Sequence, residues 1–306
     1  MRLTIRIKIL SVLASVAIIS TGVTAFVGSG TARGALEEEA FQRLTAVREL
    51  TANQVEDYFE HIADQVVTYS EDRMIVQAAL AFRRAAATVR ADLRASASRQ
   101  AAIDDELRLH YQQEFFPRLE ANLEEPAAFS DYWPRDVVGR TLQQLYISGN
   151  EFETGSKHIL DDAGDGSTYS SVHREYHPVI RNFLERFGYY DIFLVDHMTG
   201  QIVYSVFKEV DFGTSLMTGP YRESNIARAF RAASESGTPD FTHLVDFEPY
   251  APSYSGHAAF IASPIVDGDE MVGVLVFQMP VSRINDIMTH SLEWESVGLG
   301  ESGETY

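Results

Sequence analysis

The sequence has no cysteine, which excludes disulfides, thiolate catalysis and cysteine-ligated metals while leaving the redox compartment open. Cations are scarce: 25 Lys and Arg stand against 44 Asp and Glu, for a formal net charge of −19. Three of those cations, Arg2, Arg6 and Lys8, precede residue 9, so the rest of the chain is more acidic still. A surface of that sign repels phosphate backbones and argues against nucleic acid as a partner. Proline and glycine are absent from residues 35–100. Also missing are Gly-x-Ser-x-Gly, His-Glu-x-x-His and Walker-type glycine-rich motifs, so nothing in these residues marks an enzyme or a cofactor site.

Long apolar runs are likewise few. Residues 9–32 carry no charge, and a helix of 24 residues at about 1.5 Å each exceeds a hydrocarbon core of about 30 Å. The N-terminal flank is basic and the C-terminal flank, after Arg33, is Glu37-Glu-Glu39. Positive-inside bias then places residues 1–8 in the cytoplasm and the remainder outside, as for an inner-membrane protein with one N-terminal span. A cleaved signal peptide shares the basic flank and apolar core, but no small-x-small site follows closely on the run. The other apolar stretch, 271–281, is too short to span.

What is present reads as α+β. After the span comes a stalk helix, about 33–70, with Leu44, Val47, Val55, Phe59, Ile62, Val66 and Tyr69 at spacings near three and four. This stripe serves either packing on the chain's own domain or a homodimeric coiled coil, with Val55, Phe59, Ile62 and Val66 as the seam. A bend at 70–73 opens a helical part, 71–187. It holds an Ala-rich helix, another over 104–122 with a kink at Pro117, a third over 135–148 and a Gly/Asp/Ser loop at 149–168. In that loop, Asp161-Asp-Ala-Gly-Asp-Gly-Ser167 looks like half a calcium loop. Ala163 and Val172 stand where ligands belong, so a capped turn is expected. His173 and His177 are spaced to share a helix face, yet Pro178 reads as a helix start that places them in different conformations, with structural roles.

Residues 188–292 carry the module around which the chain is organised. Runs at 189–196 and 201–207 flank a turn at Met198-Thr-Gly200 and read as a hairpin. A helix over 221–233 follows, then strands over 241–247, 258–266 and 271–279, the last two joined by Asp267-Gly-Asp269. Two strands, a helix and three strands is the order of a PAS-like five-stranded antiparallel sheet.

Several segments together resemble one family. They are Leu44-Thr-Ala-Val-Arg-Glu49, Asn53-Gln-Val-Glu-Asp-Tyr-Phe59, Tyr176-His-Pro178, Tyr190-Asp-Ile-Phe-Leu-Val-Asp196, Tyr204-Ser-Val-Phe-Lys-Glu209, Gly219-Pro-Tyr221, Phe277-Gln-Met-Pro280 and the tail Gly298-Leu-Gly-Glu-Ser-Gly-Glu-Thr-Tyr306. The set resembles the extracytoplasmic sensor of double-Cache transmembrane receptors, and is similar to the subgroup fused to adenylate/guanylate cyclases, histidine kinases or chemotaxis-type outputs. The resemblance implies a distal PAS-like module with the ligand pocket, with 293–306 opening a membrane-proximal module. A second membrane helix and a cytoplasmic output, foremost a nucleotide cyclase, would follow and are not in these residues. Amino-acid-binding members hold a ligand ammonium with an Asp near the end of the last strand, where this sequence has Gln278.

For the pocket, strand alternation offers Tyr190, Tyr204, Phe260 and Gln278, and the covering loops offer Lys208, Asp211, Tyr221, Arg222, Tyr250 and Tyr254. Aromatic hydroxyls with an Arg and a Lys suit a small polar or anionic metabolite. No cofactor or metal is expected. The rival readings are a membrane-tethered binding or adaptor protein, whose aromatics merely fill a core, and a secreted hydrolase.

Overall fold

A computed structural model describes residues 4–292. The tail beginning at Gly298, and the expected start of a proximal module at 293–306, lie outside the described residues. Two compact units form, one from Tyr58–Arg283 and the other from the flanking segments up to Asp57 and from Ile284.

Helix α1 covers Ile5–Glu71 without a break. Its first part is long and apolar enough to cross a membrane, and the side chains of Ile9, Val12, Ile19 and Val27 are left uncovered by the chain. Ser15, Thr24 and Thr31 donate their hydroxyls to carbonyls one turn back, at 2.8–3.0 Å, so these polar groups are satisfied within the helix. In the flanking unit, Thr51 Oγ1 meets His290 Nε2 at 3.2 Å. Helix α9, Val281–Met288, is the last helix before it.

In the larger unit, Ile62, Val66 and Tyr69 of α1 enter the chain's own core. Ile62 and Val66 are therefore unavailable as a dimer seam, which corrects that half of the expected contact. Asp72 caps α2, Arg73–Asp92, by accepting from Met74 N at 2.7 Å, and so fixes the bend. The alanines of α2 allow close approach: a Cβ built on Gly273 would stand 3.8 Å from that of Ala79. Helix α3, Ala97–His110, runs through a π-turn at Tyr111–Phe115 into the short α4, Phe116–Glu120. Pro117 thus falls in a first turn, where its missing N–H costs little, and the expected kink is absorbed as the π-turn. Short α5, Phe129–Tyr132, and α6, Val137–Gln143, follow, the latter ending in a second π-turn at Gln144–Ser148.

Helix α7 runs from Thr168 to Phe187 with Pro178 inside it. This overturns the expected helix start at Pro178: His173 and His177 share one helix and one face. The lost backbone bond costs about 3 kcal/mol. It is offset by a buried stripe of Tyr169, His173, His177, Ile180 and Leu184.

The sheet has order β2-β1-β5-β4-β3 and is antiparallel throughout. Its strands are β1, Asp191–Val195; β2, Ile202–Ser205; β3, His243–Tyr250; β4, Gly256–Asp267; and β5, Glu270–Met279. Helix α8, Asn225–Glu235, packs on β3, β4 and β5. The expected fold class is the one observed: a long N-terminal apolar helix, a helical layer and a five-stranded antiparallel sheet. Register divides the sheet into two faces, because directly paired residues point the same way. One face carries Ile192, Leu194, Tyr204, Ile261, Ser263, Leu275 and Phe277. It meets the helices, as Phe82 stands 4.7 Å from Tyr204 and Ser70 Oγ lies 3.0 Å from Ser263 Oγ. The other face carries Asp191, Phe193, Ser205, Phe260, Val276 and Gln278.

Close backbone approach locks α6 onto the loop after β2. A Cβ on Gly139 would lie 2.3 Å from the Gly213 carbonyl oxygen, and Gly213 itself adopts φ +78°. Gly139→Ala is expected to cost about 1–3 kcal/mol, read as a lowered midpoint in thermal unfolding. An unchanged midpoint would mean that α6 and this loop are not in contact.

Candidate ligand cavity

The cavity is organised by the segment that follows β2. Asp191 opens β1, fully buried, and its Oδ1 accepts N–H bonds from Ile192 at 2.6 Å, Val206 at 2.8 Å and Phe207 at 3.1 Å. These bonds pin the 206–211 loop to the start of the sheet. Lys208 takes a left-handed φ of +60° and donates its backbone N–H to Ser205 Oγ at 3.2 Å. Its ammonium donates to the Ser205 carbonyl and lies over the rings of Tyr204 at 4.4 Å, Phe212 at 5.2 Å and Tyr146 at 5.7 Å.

Beside this loop is a cavity of about 170 Å³, room for about six waters at liquid density. Tyr190, Phe207, Lys208, Glu209, Val210 and Tyr254 line it from the sheet side. His110, Phe115, Arg118, Ile147, Thr154 and Lys157 line it from the helical layer. Buried Lys157 donates to the carbonyls of Ile147 at 2.7 Å and Phe152 at 3.1 Å, which leaves a third N–H. Arg118 pairs with Glu114 at 2.5 Å. Burial, then the charge of Lys157, pushes His110 down to about 4, so it is neutral at pH 7. Glu209 is the carboxyl in the wall; its two oxygens accept from Tyr190 Oη and Ser253 Oγ, each at 2.9 Å. Burial, then Asp211 and Asp191, pushes Glu209 well above the usual carboxylate range.

Behind Glu209 the interior is polar. Tyr250 Oη donates to Asp211 Oδ2 at 2.5 Å, and Gln278 Nε2 donates to Ser253 Oγ at 3.2 Å. Asp191 Oδ2, Asp211 Oδ1, Gln278 Oε1 and Tyr221 Oη are buried without a hydrogen-bond partner. Burial raises Asp211 to about 6 against the lowering effect of the Tyr250 bond. Burial also raises Asp191, helped by Asp211, and burial lowers Lys208.

Of the ten residues offered by the sequence, Tyr190, Lys208 and Tyr254 line the cavity. Asp211, Tyr250, Gln278, Tyr221 and Phe260 stand behind it, with the Tyr250 ring 6.2 Å from Tyr221 and 5.0 Å from Phe260. Two are placed elsewhere. Tyr204 belongs to the opposite sheet face and donates to His177 Nδ1 at 2.7 Å. Alternation gives the phase within a strand, whereas turns and bulges, here the shift between Leu194 and Val195, give the phase between strands. Arg222 lines a separate cleft with Trp133 and Arg135, its side chain 42% exposed. Residues not anticipated are His110, Arg118, Lys157, Asp191, Glu209 and Ser253. Only Asp191 left a signal, as the single acid inside an apolar strand run.

The two histidines stack at 4.2 Å, and burial keeps both neutral. His173 Nδ1 and His177 Nε2 donate to the carbonyls of Asp161 and His158 at 2.7 Å each. In the loop before them, Asp162 and Asp165 accept from the backbone N–H of Gly164 and Ser167.

No family model matches the chain, and no curated protein matches it. Among solved structures it is similar to the crystal structure of the V. cholerae histidine kinase DctB sensor domain, at 17% sequence identity and a TM-score of 0.31. The match covers 60% of this chain and 59% of that one, less than two thirds of its length.

The buried ionisable groups give a testable pH dependence. Asp191 has a raised pKa, so its contribution to stability is full below about pH 4 and is lost as pH rises through the raised value. Lys208 has a lowered pKa, so its contribution is full above about pH 10 and is lost as pH falls through the lowered value. Together they place a stability minimum between those limits. Asp191→Asn is expected to weaken the acid limb, which Glu209 and Asp211 share, and Lys208→Met the alkaline limb of the thermal midpoint plotted against pH. Wild-type-minus-variant differences that do not vary with pH would refute the assignment.

Proposed function

We propose that this chain is the extracytoplasmic, ligand-sensing part of a membrane-anchored signalling receptor of double-Cache type. The observation that carries the reading is the cavity: a small chamber between a PAS-like sheet and a helical layer, whose largely aromatic and apolar wall includes the cations Arg118, Lys157 and Lys208. A filled interior would have favoured an adaptor. The basic lining favours a small polar or anionic metabolite, with Arg118 and Lys157 as charge partners and Tyr190 and Tyr254 as aromatic walls.

In this reading, the apolar part of α1 anchors the chain in the inner membrane with its N-terminus in the cytoplasm, and ligand closure shifts helices toward a cytoplasmic output. The motif resemblance makes a nucleotide cyclase the leading output, followed by histidine kinase and chemotaxis-type signalling. A coupling of about 1–3 kcal/mol suffices to change output severalfold to a hundredfold. Pairing of two copies falls to the α1 residues left exposed outside the core, such as Leu44 and Leu50.

Two experiments test this. The full chain in detergent is screened by thermal shift against organic acids and amino acids. At about 100 times Kd a ligand adds about 2.7 kcal/mol, a rise of roughly 5–10 °C for a domain of this size. Arg118→Ala and Lys157→Met are expected to abolish the rise; a rise that survives both moves the site elsewhere, and no rise with any compound favours the tethered adaptor. For topology, the absence of native cysteine allows single cysteines at Thr4 and Ser156 to be labelled on intact cells with an impermeant reagent. Labelling at Ser156 alone is expected, and labelling at Thr4 alone would overturn the orientation.

A further inference from the structure

Two acceptors at the back of the cavity wall pose a problem that a proton can solve. Asp191 and Gln278 are direct register partners on β1 and β5, on the same sheet face, and both are fully buried or nearly so. Asp191 Oδ2 and Gln278 Oε1 each lack a donor. Leaving two adjacent acceptors unmet in the interior is costly, at about 1–3 kcal/mol each. Asp191 Oδ1 already accepts three backbone N–H bonds, so a proton on this carboxyl belongs on Oδ2.

We propose that Asp191 is a carboxylic acid whose Oδ2–H is donated to Gln278 Oε1, and that loss of this proton turns the Gln278 amide over and resets the cavity wall. The directions of the remaining hydrogen bonds follow from the first. With Asp191 protonated, Gln278 Nε2 donates to Ser253 Oγ, and Ser253 is free to donate to Glu209 Oε2, which also accepts from Tyr190 at Oε1. Once Asp191 releases its proton to water, its Oδ2 requires a donor and the one beside it is the Gln278 amide. The amide turns, Nε2 faces Asp191 and Oε1 faces Ser253. Ser253 then donates to Gln278 instead of Glu209, and Glu209, the carboxyl in the cavity wall, loses one of its two donors. Ionisation at Asp191 therefore changes the hydrogen-bond pattern that a ligand meets, without movement of the backbone.

The other ionisable groups set the window. Asp211 raises the Asp191 pKa and Lys208 lowers it, while Glu209 takes part through the chain itself and Asp211 spends Oδ2 on Tyr250. Lys208 shares its own surroundings with Arg181 of α7. Only the final step, the effect on ligand affinity, rests on the reading of the cavity as a ligand chamber; the proton and the amide turn do not.

The test separates these parts. The full chain in detergent, without ligand, is titrated from about pH 5 to about pH 9 by infrared difference spectroscopy. A protonated-carboxyl carbonyl band is expected near neutral pH, fading toward the alkaline end, and its Asp191 component is lost in Asp191→Asn while any contribution of Glu209, whose pKa is also raised, remains. The asparagine amide supplies the same donor toward Gln278 Oε1, so this variant is expected to fold and hold the acid-state pattern at every pH. If no such band is lost in Asp191→Asn at about pH 5, Asp191 is ionised throughout and the proposal fails. Side-chain amide NMR of Gln278, assigned through Gln278→Glu, provides the second readout. Its shifts are expected to follow the Asp191 titration, and shifts that ignore pH would remove the amide turn. Ligand dependence is then read with acetate as probe. Its affinity is expected to change severalfold across the titration in wild type but not in Asp191→Asn. Acetate binding with no pH dependence, alongside an intact Asp191 titration, would sever the switch from recognition.

Discussion

One carboxyl oxygen holds the cavity-bearing half of this fold in place. Asp191 Oδ1 gathers three backbone N–H groups, two of them from the first residues beyond β2. The loop so anchored carries Lys208, Glu209 and Asp211, that is, both charged wall residues from the sheet side and the acid behind them. An apolar residue at 191 would suit the strand's hydrophobic run but strand those amides, whose burial without acceptors is rarely tolerated. The acid is placed where backbone satisfaction demands it, and its second oxygen is left over for chemistry.

The two faces of the sheet divide the work. Toward the helices, the contact is largely aromatic: Tyr69 stacks on Phe183 at 3.9 Å, Phe82 meets Tyr204, and Phe277 meets Tyr189 at 4.4 Å. Such pairs add about 0.5–1.5 kcal/mol beyond the area they bury. Toward the cavity, the interior holds three carboxyls, an amide and unpartnered hydroxyl and carboxyl oxygens, an arrangement that costs stability. The first face supports the second. Lys208 joins them, since its backbone lies in the anchored loop while its ammonium sits among rings that include Tyr204 of the helical face.

Much of the framework was legible in the sequence because it rests on local periodicity and turn chemistry. The hairpin at Asp267-Gly-Asp269 and the bend at 70–73 need only nearby residues, as does the absence of Pro and Gly over 35–100. Pro178 misled because a local rule met a longer-range one: the buried stripe from Tyr169 to Leu184 outweighs one missing hydrogen bond. Tyr204 misled because phase between strands is not a property of either strand alone. Arg118, which stays exposed, and Lys157, which is buried, could not be foreseen, since nothing in a solvated-looking helix or a Gly-rich loop reveals that the fold brings their cations to one cavity. The ring cage around Lys208 exists only once β2, the loop and the Tyr146 turn are assembled, so no local pattern announces it.

The uncharged residue at 278 can be understood from its neighbour. Directly opposed like charges on adjacent strands destabilise a sheet, and two buried carboxyls sharing a site force one of them to stay protonated. With Asp191 as the register partner, an acid at 278 would bring that conflict into the pocket floor. An amide avoids it, because it presents an acceptor to a protonated Asp191 and a donor to an ionised one. The acid of this pair stands on β1 and carries the additional duty of holding the loop. A residue with both duties is constrained twice: its Oδ1 cannot leave the three amides without releasing the cavity wall.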